Sequence, residues 1–312
     1  MTTGERFFLV LAEELNFHRA AEKCFISQQA LSEHIRKLEE EYKVQLLIRK
    51  PHVILTREGQ FLYRTLLEID RIERGLRSEL SAMDYGKGAH IRIGMNYTRA
   101  NIVMADILSE FWRRYPEISV EIIVDETVAM KERLLKGELD CFLGVNTIHD
   151  STIRFIPVVN ESVYLVATED CLQSHLNIGT SAAAQYIRDN RFDAFNRLPL
   201  ILHDSISTAH SVILNHIRAL GWDSEPILNS SDYHITSILC SRGLAACFFP
   251  DFFVPVLFNK PGFDRDKLLA EPIKGLSESL RVEMILPHLT YIPQYLLDFC
   301  DIVKSVYHNY RN

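Results

Sequence analysis

The chain has 312 residues, of which 47% are hydrophobic and 24% charged, and its formal net charge is −7. This length exceeds what one hydrophobic core supports and predicts two or three domains, and the composition excludes a disordered chain. The acidic balance excludes DNA binding by bulk attraction alone. Residues 1–86 hold 13 Lys and Arg against 14 Asp and Glu. Any DNA surface must therefore come from the placement of charge, and we expect it to depend on dimerisation.

Six cysteines are scattered along the chain without a CxxC pair, and most lie inside apolar runs. This usage is typical of buried thiols in a reducing compartment. Cys171, in a stretch that reads as a charged loop, could be a redox sensor, but a plain thiol is the preferred interpretation. The apolar run 7–12 lacks the features of a secretory signal, and no run approaches a membrane span. We expect a cytoplasmic protein with no membrane partner.

The start of the chain predicts three consecutive helices. Apolar residues between 7 and 15 recur at helical spacing, and Asn16 can cap a short second helix from Phe17 to about Lys23. Ser27 can cap a third helix, whose apolar residues from Leu31 to Leu38 leave the other face polar. This is the helix-turn-helix pattern, and a helical hairpin with a solvated polar face is the alternative.

The start of the third helix carries the side chains that would face DNA. In helix-turn-helix proteins these positions enter the major groove, and here they are Gln28, Gln29 and Ser32, with Glu33 and Arg36 one turn further on. Gln suits bidentate contact to adenine, while Arg36 and Lys37 suit phosphates.

A small hairpin with a basic tip is predicted next. The apolar runs 46–48 and 53–55 are separated by Arg49, Lys50, Pro51 and His52. Such a pair of short runs indicates two strands, and the basic tip could lie along the phosphate backbone.

This segment resembles the LysR-type DNA-binding domain. The resemblance is carried by residues 17–22 (FHRAAE), 26–32 (ISQQALS), 35–40 (IRKLEE) and 55–59 (LTREG), together with Arg49. It implies a winged helix-turn-helix over residues 1–58. The predicted DNA contacts are Arg19, Ser27, Gln28, Gln29, Ser32, Arg36, Lys37, Arg49, Lys50, His52 and Thr56. Departures from the family pattern include Lys43 at a helix end usually held by glycine, and Glu33, which lowers the positive field.

Residues 60–83 predict a long amphipathic helix with a coiled-coil-like seam. The seam residues that we assign to dimerisation are Leu62, Leu66, Ile69, Leu76 and Leu80. The resemblance implies a linker helix and hinge over residues 59–88 that dimerise the protein. Packing of the helix against its own domain is the alternative.

The remaining chain alternates strands with helices, which predicts parallel strands covered by helices. It is similar to the LysR effector domain, in which two α/β lobes resemble a periplasmic solute-binding protein with a cleft between them. The fold expected for the whole chain is therefore α/β, with an effector domain over residues 89–312. Lobe 1 is assigned to about 89–162 and 269–312, and lobe 2 to about 163–268. Residues 171–198 are longer than usual for the family and predict an extra helix over 181–191, to which no role is assigned.

In such sheets, ligands lie where strand ends and helix N-termini converge, because free backbone N–H groups favour polar or anionic groups. The predicted effector contacts are Asn96, Tyr97, Thr98, Thr127, Asn146, His203, Ser205, Thr208, Tyr233 and His234. Each of these, taken singly, could instead be a helix cap or a loop hydrogen-bonder.

The sequence lacks the motifs of the other classes of function. His203, Asp204 and Ser205 suggest hydrolysis, but adjacent residues rarely form a triad and no GxSxG turn is present. The sequence has no metal-ligand spacing and no phosphate loop, so no catalytic residue, metal or cofactor is expected. A transport component would need a secretion signal, and an enzyme would need a catalytic cluster. A transcription regulator is expected, binding double-stranded DNA, a small effector, itself as a dimer or tetramer, and RNA polymerase.

Overall fold

The structure is a computed structural model that describes residues 1–49, 51–83, 90–203, 208–223, 225–230, 232–276, 280–288 and 292–311. The chain divides into two compact units, Met1–Ala89 with Leu289–Pro293 and His90–His288 with Gln294–Asn312. The predicted hinge at 86–88, Lys50 and Ser205 lie outside the described residues, as do the side chains of Leu80 and Thr208. The predicted limits of the DNA-binding and linker segments stay predictions.

The N-terminal unit has the predicted winged helix-turn-helix arrangement. Its elements are α1 (Thr3–Glu14), α2 (Phe17–Lys23), α3 (Gln28–Tyr42), β1 (Leu47–Ile48), β2 (Ile54–Leu55) and α4 (Arg57–Met83). The two strands pair antiparallel, and residues 47–55 form the wing. The buried core is Phe8, Leu11, Ala12, Ala20, Ala21, Leu31, Ile35, Leu38, Leu46, Leu47 and Leu66. The apolar faces that the periodicity predicts thus meet in one core.

The helix α4 begins three residues before the predicted start at Gln60, because Thr56 caps it. The Thr56 Oγ1 accepts from the Gly59 N–H at 2.9 Å and donates to the carbonyl of Gln45 at 2.7 Å. A Cβ at Gly59 would lie 2.1 Å from the carbonyl oxygen of Leu46. Only glycine therefore permits this close approach of α4 to the first strand of the wing.

The C-terminal unit contains two lobes, each built on a five-stranded sheet. Lobe 1 comprises β3 (His90–Met95), α5 (Tyr97–Arg114), β4 (Ser119–Val124), α6 (Thr127–Leu135), β5 (Cys141–Val145) and β6 (Ile153–Glu161). Lobe 2 comprises β7 (Val163–Thr168), α7 (Glu169–Leu176), α8 (Thr180–Arg188), β8 (Leu200–His203), α9 (Thr208–Ala219), β9 (Leu228–Ser230), α10 (Tyr233–Ser241), β10 (Ala246–Pro250), α11 (Val254–Leu257) and β11 (Leu268–Pro272). The chain then returns to lobe 1 with β12 (Leu280–Pro287) and α12 (Gln294–Arg311). The strand orders are β4-β3-β5-β12-β6 and β11-β7-β10-β8-β9.

The two-lobed α/β fold is confirmed, but both sheets are mixed rather than parallel. In lobe 1, β12 pairs antiparallel with β5 and β6, and in lobe 2, β7 pairs antiparallel with β10 and β11. The strands β6 and β7 are separated only by Ser162. A strand that enters its sheet directly from the other lobe is not preceded by a crossover helix, so it can run antiparallel to its neighbours.

The strands β6 and β11 and the helices α7 and α11 were not predicted, and one lobe boundary was wrong. Cys171 therefore lies in the helix α7 rather than in a charged loop. Because β11 pairs with β7 over five residues, Leu268–Pro272 belongs to lobe 2 and not to lobe 1. The extra helix of the 171–198 segment is present as α8, ending at Arg188.

Candidate functional site

The start of α3 is held by the turn that precedes it. The Asn16 Oδ1 caps α2 by accepting from the N–H groups of His18 and Arg19, and the Ser27 Oγ caps α3 by accepting from the Ala30 N–H at 3.1 Å. Between them, Phe25 adopts a left-handed φ of 56°. Both caps are as predicted. Gln28 and Gln29 are exposed in the first turn of α3.

A groove of about 530 Å³ lies between α3 and the wing, and we call it the recognition groove. It is lined by Ser27, Gln29, Ala30, Ser32, Glu33, Arg36 and Arg49. The predicted contacts Ser27, Gln29, Ser32, Arg36 and Arg49 therefore share one surface. Glu33 was not among the predicted contacts.

The basic side chains of this surface have acidic neighbours. The Arg36 Nη2 lies 2.7 Å from the Glu33 Oε1, and Arg36 also pairs with Glu40. The Lys37 Nζ lies 3.8 Å from the same Glu33 oxygen. The Arg49 Nη2 lies 3.3 Å from the Glu39 Oε2, and its guanidinium lies over the ring of Phe17. To bind phosphates, these basic side chains would have to give up their contacts with the glutamates.

The other described predicted contacts of this unit do not line the groove: Arg19, Gln28, Lys37, His52 and Thr56. Arg19 donates to the backbone carbonyl of Glu14 at 2.9 Å and pairs with its carboxylate. Thr56 is the cap of α4, a structural role that accounts for its position, and His52 is exposed at the tip of the wing.

The residues of α4 that were assigned to dimerisation differ in their exposure. Leu66 is 1% exposed in the core of its own unit, with Leu62 packed against the same core, as the alternative interpretation requires. Leu66 therefore lies in a core rather than in an exposed seam, whereas the dimerisation role of the partly buried Leu62 stays a prediction. Ile69, Ile72 and Leu76 remain exposed, and Leu76 is 52% accessible. A groove of about 560 Å³ beside this row is lined by Tyr42, Val44, Phe61 and Ile69, among others.

A cleft lies between the two lobes of the C-terminal unit. It is lined by Asn96, Thr98, Arg99, Glu126, Thr127, Val145, His203, Tyr233, Pro250, Phe252 and Leu280. Five predicted effector contacts thus come together, namely Asn96, Thr98, Thr127, His203 and Tyr233. Two of them also act locally: the Asn96 Oδ1 caps α5 and the Thr127 Oγ1 accepts from the Val145 N–H.

The cleft volume is about 30 Å³, which is room for about two water molecules. Three other predicted contacts lie outside its lining: Tyr97 is exposed on α5, His234 lies near Lys260, and the Asn146 Oδ1 accepts from the Arg281 N–H at 2.9 Å. A metabolite would therefore require the lobes to separate.

Arg99, which lines the cleft, belongs to a buried ion pair. The Arg99 Nη1 and Nη2 donate to the two carboxylate oxygens of Glu161 at 2.7 and 2.6 Å, and Nη1 also donates to the Tyr307 hydroxyl at 3.2 Å. The guanidinium carbon lies 4.4 Å from the ring centroid of Phe252. Burial alone would lower the pKa of Arg99, but the Glu161 carboxylate raises it above its ordinary value. Sequence reasoning missed this pair because its members are 62 positions apart.

Within the described residues, no group of three or more His, Cys, Asp or Glu side chains could hold a metal ion. In that same part of the chain, no helix is long and apolar enough to cross a membrane. All six cysteines are free thiols; Cys24 is half-buried and the other five are buried.

Family comparisons account for nearly the whole chain. Residues 5–60 match the family described as "Bacterial regulatory helix-turn-helix protein, lysR family", and residues 86–307 match the "LysR substrate binding domain". The HTH-type transcriptional regulator CysL of Bacillus subtilis (strain 168) is 26% identical over 161 residues, 51% of this chain and 54% of that protein. The chain spans about half the length of the first such curated relatives.

Solved structures share the fold over almost the full length. A full-length OxyR variant from Pseudomonas aeruginosa matches 99% of this chain and 95% of its own, with a TM-score of 0.62 and 20% identity. Full-length CbnR, crystallised with its target DNA, matches 97% of this chain and 98% of its own, with a TM-score of 0.55 and 17% identity. CysL is described as a transcriptional regulator, and CbnR as a LysR family transcriptional regulator.

Proposed function

Because the chain belongs to the LysR family of bacterial helix-turn-helix regulatory proteins, we propose that it binds double-stranded DNA and regulates transcription in response to a small polar or anionic effector. The observation that carries the proposal is the recognition groove, where the capped start of α3 and Arg49 of the wing share one surface. The sequence match over residues 5–60 and the likeness to CbnR, which was crystallised on DNA, support it.

In this proposal, Gln28, Gln29 and Ser32 read base edges, and Arg49, with Lys50 and His52 of the wing, holds the phosphate backbone. The chain acts as a homo-oligomer through the exposed apolar row of α4, since two linked half-sites bind DNA more tightly than one. RNA polymerase is the partner through which a DNA-bound regulator would act on transcription. A cytoplasmic location suits six free thiols.

The effector is proposed to bind in the cleft between the lobes. The N-termini of α5 and α6 and the side chains of Thr98 and Thr127 supply hydrogen-bond donors to a polar or acidic group. Since the cleft is nearly closed in this structure, binding would favour a state in which the lobes lie further apart. Such a preference for one state is what allows a ligand to change DNA binding.

The test begins with selection of bound duplexes from a random DNA library by the full-length protein. Gel-shift titrations then compare the selected operator with scrambled DNA at several salt concentrations. Gln28→Ala is expected to weaken operator binding about tenfold without changing scrambled-DNA affinity, because it removes base readout. Arg49→Ala is expected to weaken both alike and to reduce the salt slope by about one, because it removes a phosphate contact. Failure to enrich any sequence would overturn the proposed function.

A further inference from the structure

The recognition groove contains a carboxylate that phosphate binding does not explain. Glu33 lies in the second turn of α3, and its side chain is 48% exposed among the groove residues Gln29, Ser32 and Arg49. A negative charge on this surface repels DNA phosphates, so Glu33 lowers affinity for every sequence. A carboxylate that lowers the affinity for all DNA can still contribute to recognition if it distinguishes one base sequence from another.

The carboxylate of Glu33 is oriented and ionised. Arg36 binds it in a fork, with Nε donating to Oε2 at 3.0 Å and Nη2 to Oε1 at 2.7 Å. The hydrogen bond from Arg36, with the nearby positive charges, lowers the pKa of Glu33. An ionised carboxylate only accepts hydrogen bonds, and its two oxygens offer about four acceptor sites. Acceptor sites therefore remain for a ligand.

We propose that Glu33 selects an exocyclic amino group in the major groove, the N4 of cytosine or the N6 of adenine, at one position of each half-site. This inference rests on the proposed DNA-binding function. Cytosine and adenine present amino donors in the major groove, whereas guanine and thymine present acceptors at the equivalent place. An acceptor-only group facing guanine O6 or thymine O4 is repelled, so the carboxylate rejects the keto bases.

Arg36 is then a positioning residue rather than a phosphate contact. Its guanidinium is engaged by Glu33 on one side and by Glu40 on the other. The pair lies on one helix, so it can persist when DNA is bound and hold the carboxylate towards the base edge. Specificity of this kind arises from penalising the wrong partner, at the expense of general affinity.

Glu40 provides a matched control for the experiment. It pairs with the same arginine from the same helix, yet it does not line the recognition groove. Glu33→Ala and Glu40→Ala therefore each remove one negative charge and one of the two acidic partners of Arg36, but only the first removes an acceptor from the groove. Both are exposed positions, and thermal melts followed by circular dichroism verify that each variant folds. Glu33→Gln, which can donate as well as accept, is a second variant of the same shape.

The experiment is library selection by the full-length wild type and the three variants, followed by gel-shift titration. Wild type is expected to prefer an amino base over a keto base by about tenfold at one position per half-site. Glu33→Ala is expected to reduce that preference to about twofold or less, and Glu33→Gln to weaken it. Glu40→Ala should keep the wild-type preference, while both alanine variants bind scrambled DNA more tightly.

The enriched base identifies the donor as cytosine or adenine. Replacing it by 2-pyrimidinone or purine, which lack only the amino group, should weaken wild type and leave Glu33→Ala unaffected. An unchanged base preference in Glu33→Ala, with wild type still selecting an operator, would overturn the inference and leave the proposed function standing. No selection by wild type would overturn both.

Discussion

Single side chains in the C-terminal unit are fixed by partners that lie far away in the sequence. Arg99 on α5 and Glu161 at the end of β6 are almost completely buried and share two short hydrogen bonds. A buried charge is tolerated when it is paired and hydrogen-bonded, and removing one partner leaves the other uncompensated. The pair therefore holds the wall of the cleft in a single arrangement.

Glu161→Gln is expected to lower the free energy of unfolding of the C-terminal unit by about 3–5 kcal/mol, because Arg99 would stay buried without its counter-ion. Chemical denaturation of the full-length protein, followed by circular dichroism, measures the change. Glu121→Gln on the exposed strand β4 is the control and should be nearly neutral, since its partner His90 is also exposed. A loss below about 1 kcal/mol for Glu161→Gln would contradict the assigned role of the pair.

The thiols are expected to differ strongly in reactivity. Burial raises the pKa of Cys171 and of Cys300 to about 12, so almost no thiolate forms near pH 8. Cys24 is half-buried, and the other thiols are buried. Mass spectrometry after brief iodoacetamide treatment of the native protein should find label on Cys24 before any other cysteine, and on all six after denaturation. Rapid native labelling of Cys171 would restore the redox-sensor interpretation.

The apolar residues of the helix α4 lie in two different environments along its length. Its first turns bury Leu66 in the core of the N-terminal unit, while Ile69 and Leu76 stay exposed further along. A sequence repeat of apolar residues every three or four positions cannot separate these uses, because both demand the same spacing. A fragment that stops at residue 58 would therefore lose core packing as well as the proposed dimer contact.

Leu66→Ala and Leu76→Ala should consequently have different effects. Leu66→Ala is expected to destabilise the N-terminal unit by about 2–5 kcal/mol, because it leaves a cavity in a packed core. Leu76→Ala should change the unit's unfolding by about 0.5 kcal/mol or less but weaken self-association. Thermal unfolding and analytical sedimentation of the full-length variants separate the two effects. Equal self-association of Leu76→Ala and wild type would exclude Leu76 from the dimer contact.

The two lobes are linked by chain segments that cross between their sheets, and the cleft lies beside these crossings. The strand β6 passes into β7 through Ser162, whose N–H donates to Asp251 at 3.1 Å. A ligand that binds between the lobes shifts the population of states that differ in the separation of the lobes, provided that it prefers one of them. The proposed effector response would thus involve both lobes of the C-terminal unit rather than one loop.

Thr98→Val should abolish the effect of the effector on DNA binding while preserving DNA binding without it. Thr98 lines the cleft from the first turn of α5 and is mostly buried, so valine conserves shape and removes only the hydroxyl. Metabolites are first screened by thermal shift on the full-length protein, and DNA footprints are then recorded with each hit. Thr152→Val, at an exposed site outside the cleft, is the control. A normal ligand-dependent footprint in Thr98→Val would place the effector elsewhere.

The sequence by itself determined the local features of the N-terminal unit. Asn16 and Ser27 cap their helices as their positions predict, and Lys43 ends α3 with a left-handed φ of 55°, at the helix end that the family resemblance implies. Caps and apolar periodicity act within about four residues, so the signal is complete in a short window. The signal for β5 (Cys141–Val145) is also local, because a continuous apolar run marks a strand buried on both faces.

Only the tertiary structure decided which distant residues meet. The pairing of Arg99 with Glu161, the antiparallel course of β7 and β12, and the assignment of β11 to lobe 2 all join segments that no local pattern relates. A charged side chain in a sequence indicates a solvated surface until its buried partner is known. Likewise, whether Leu66 faces a core or a second subunit depends on what the helix packs against, and that is determined by the whole unit.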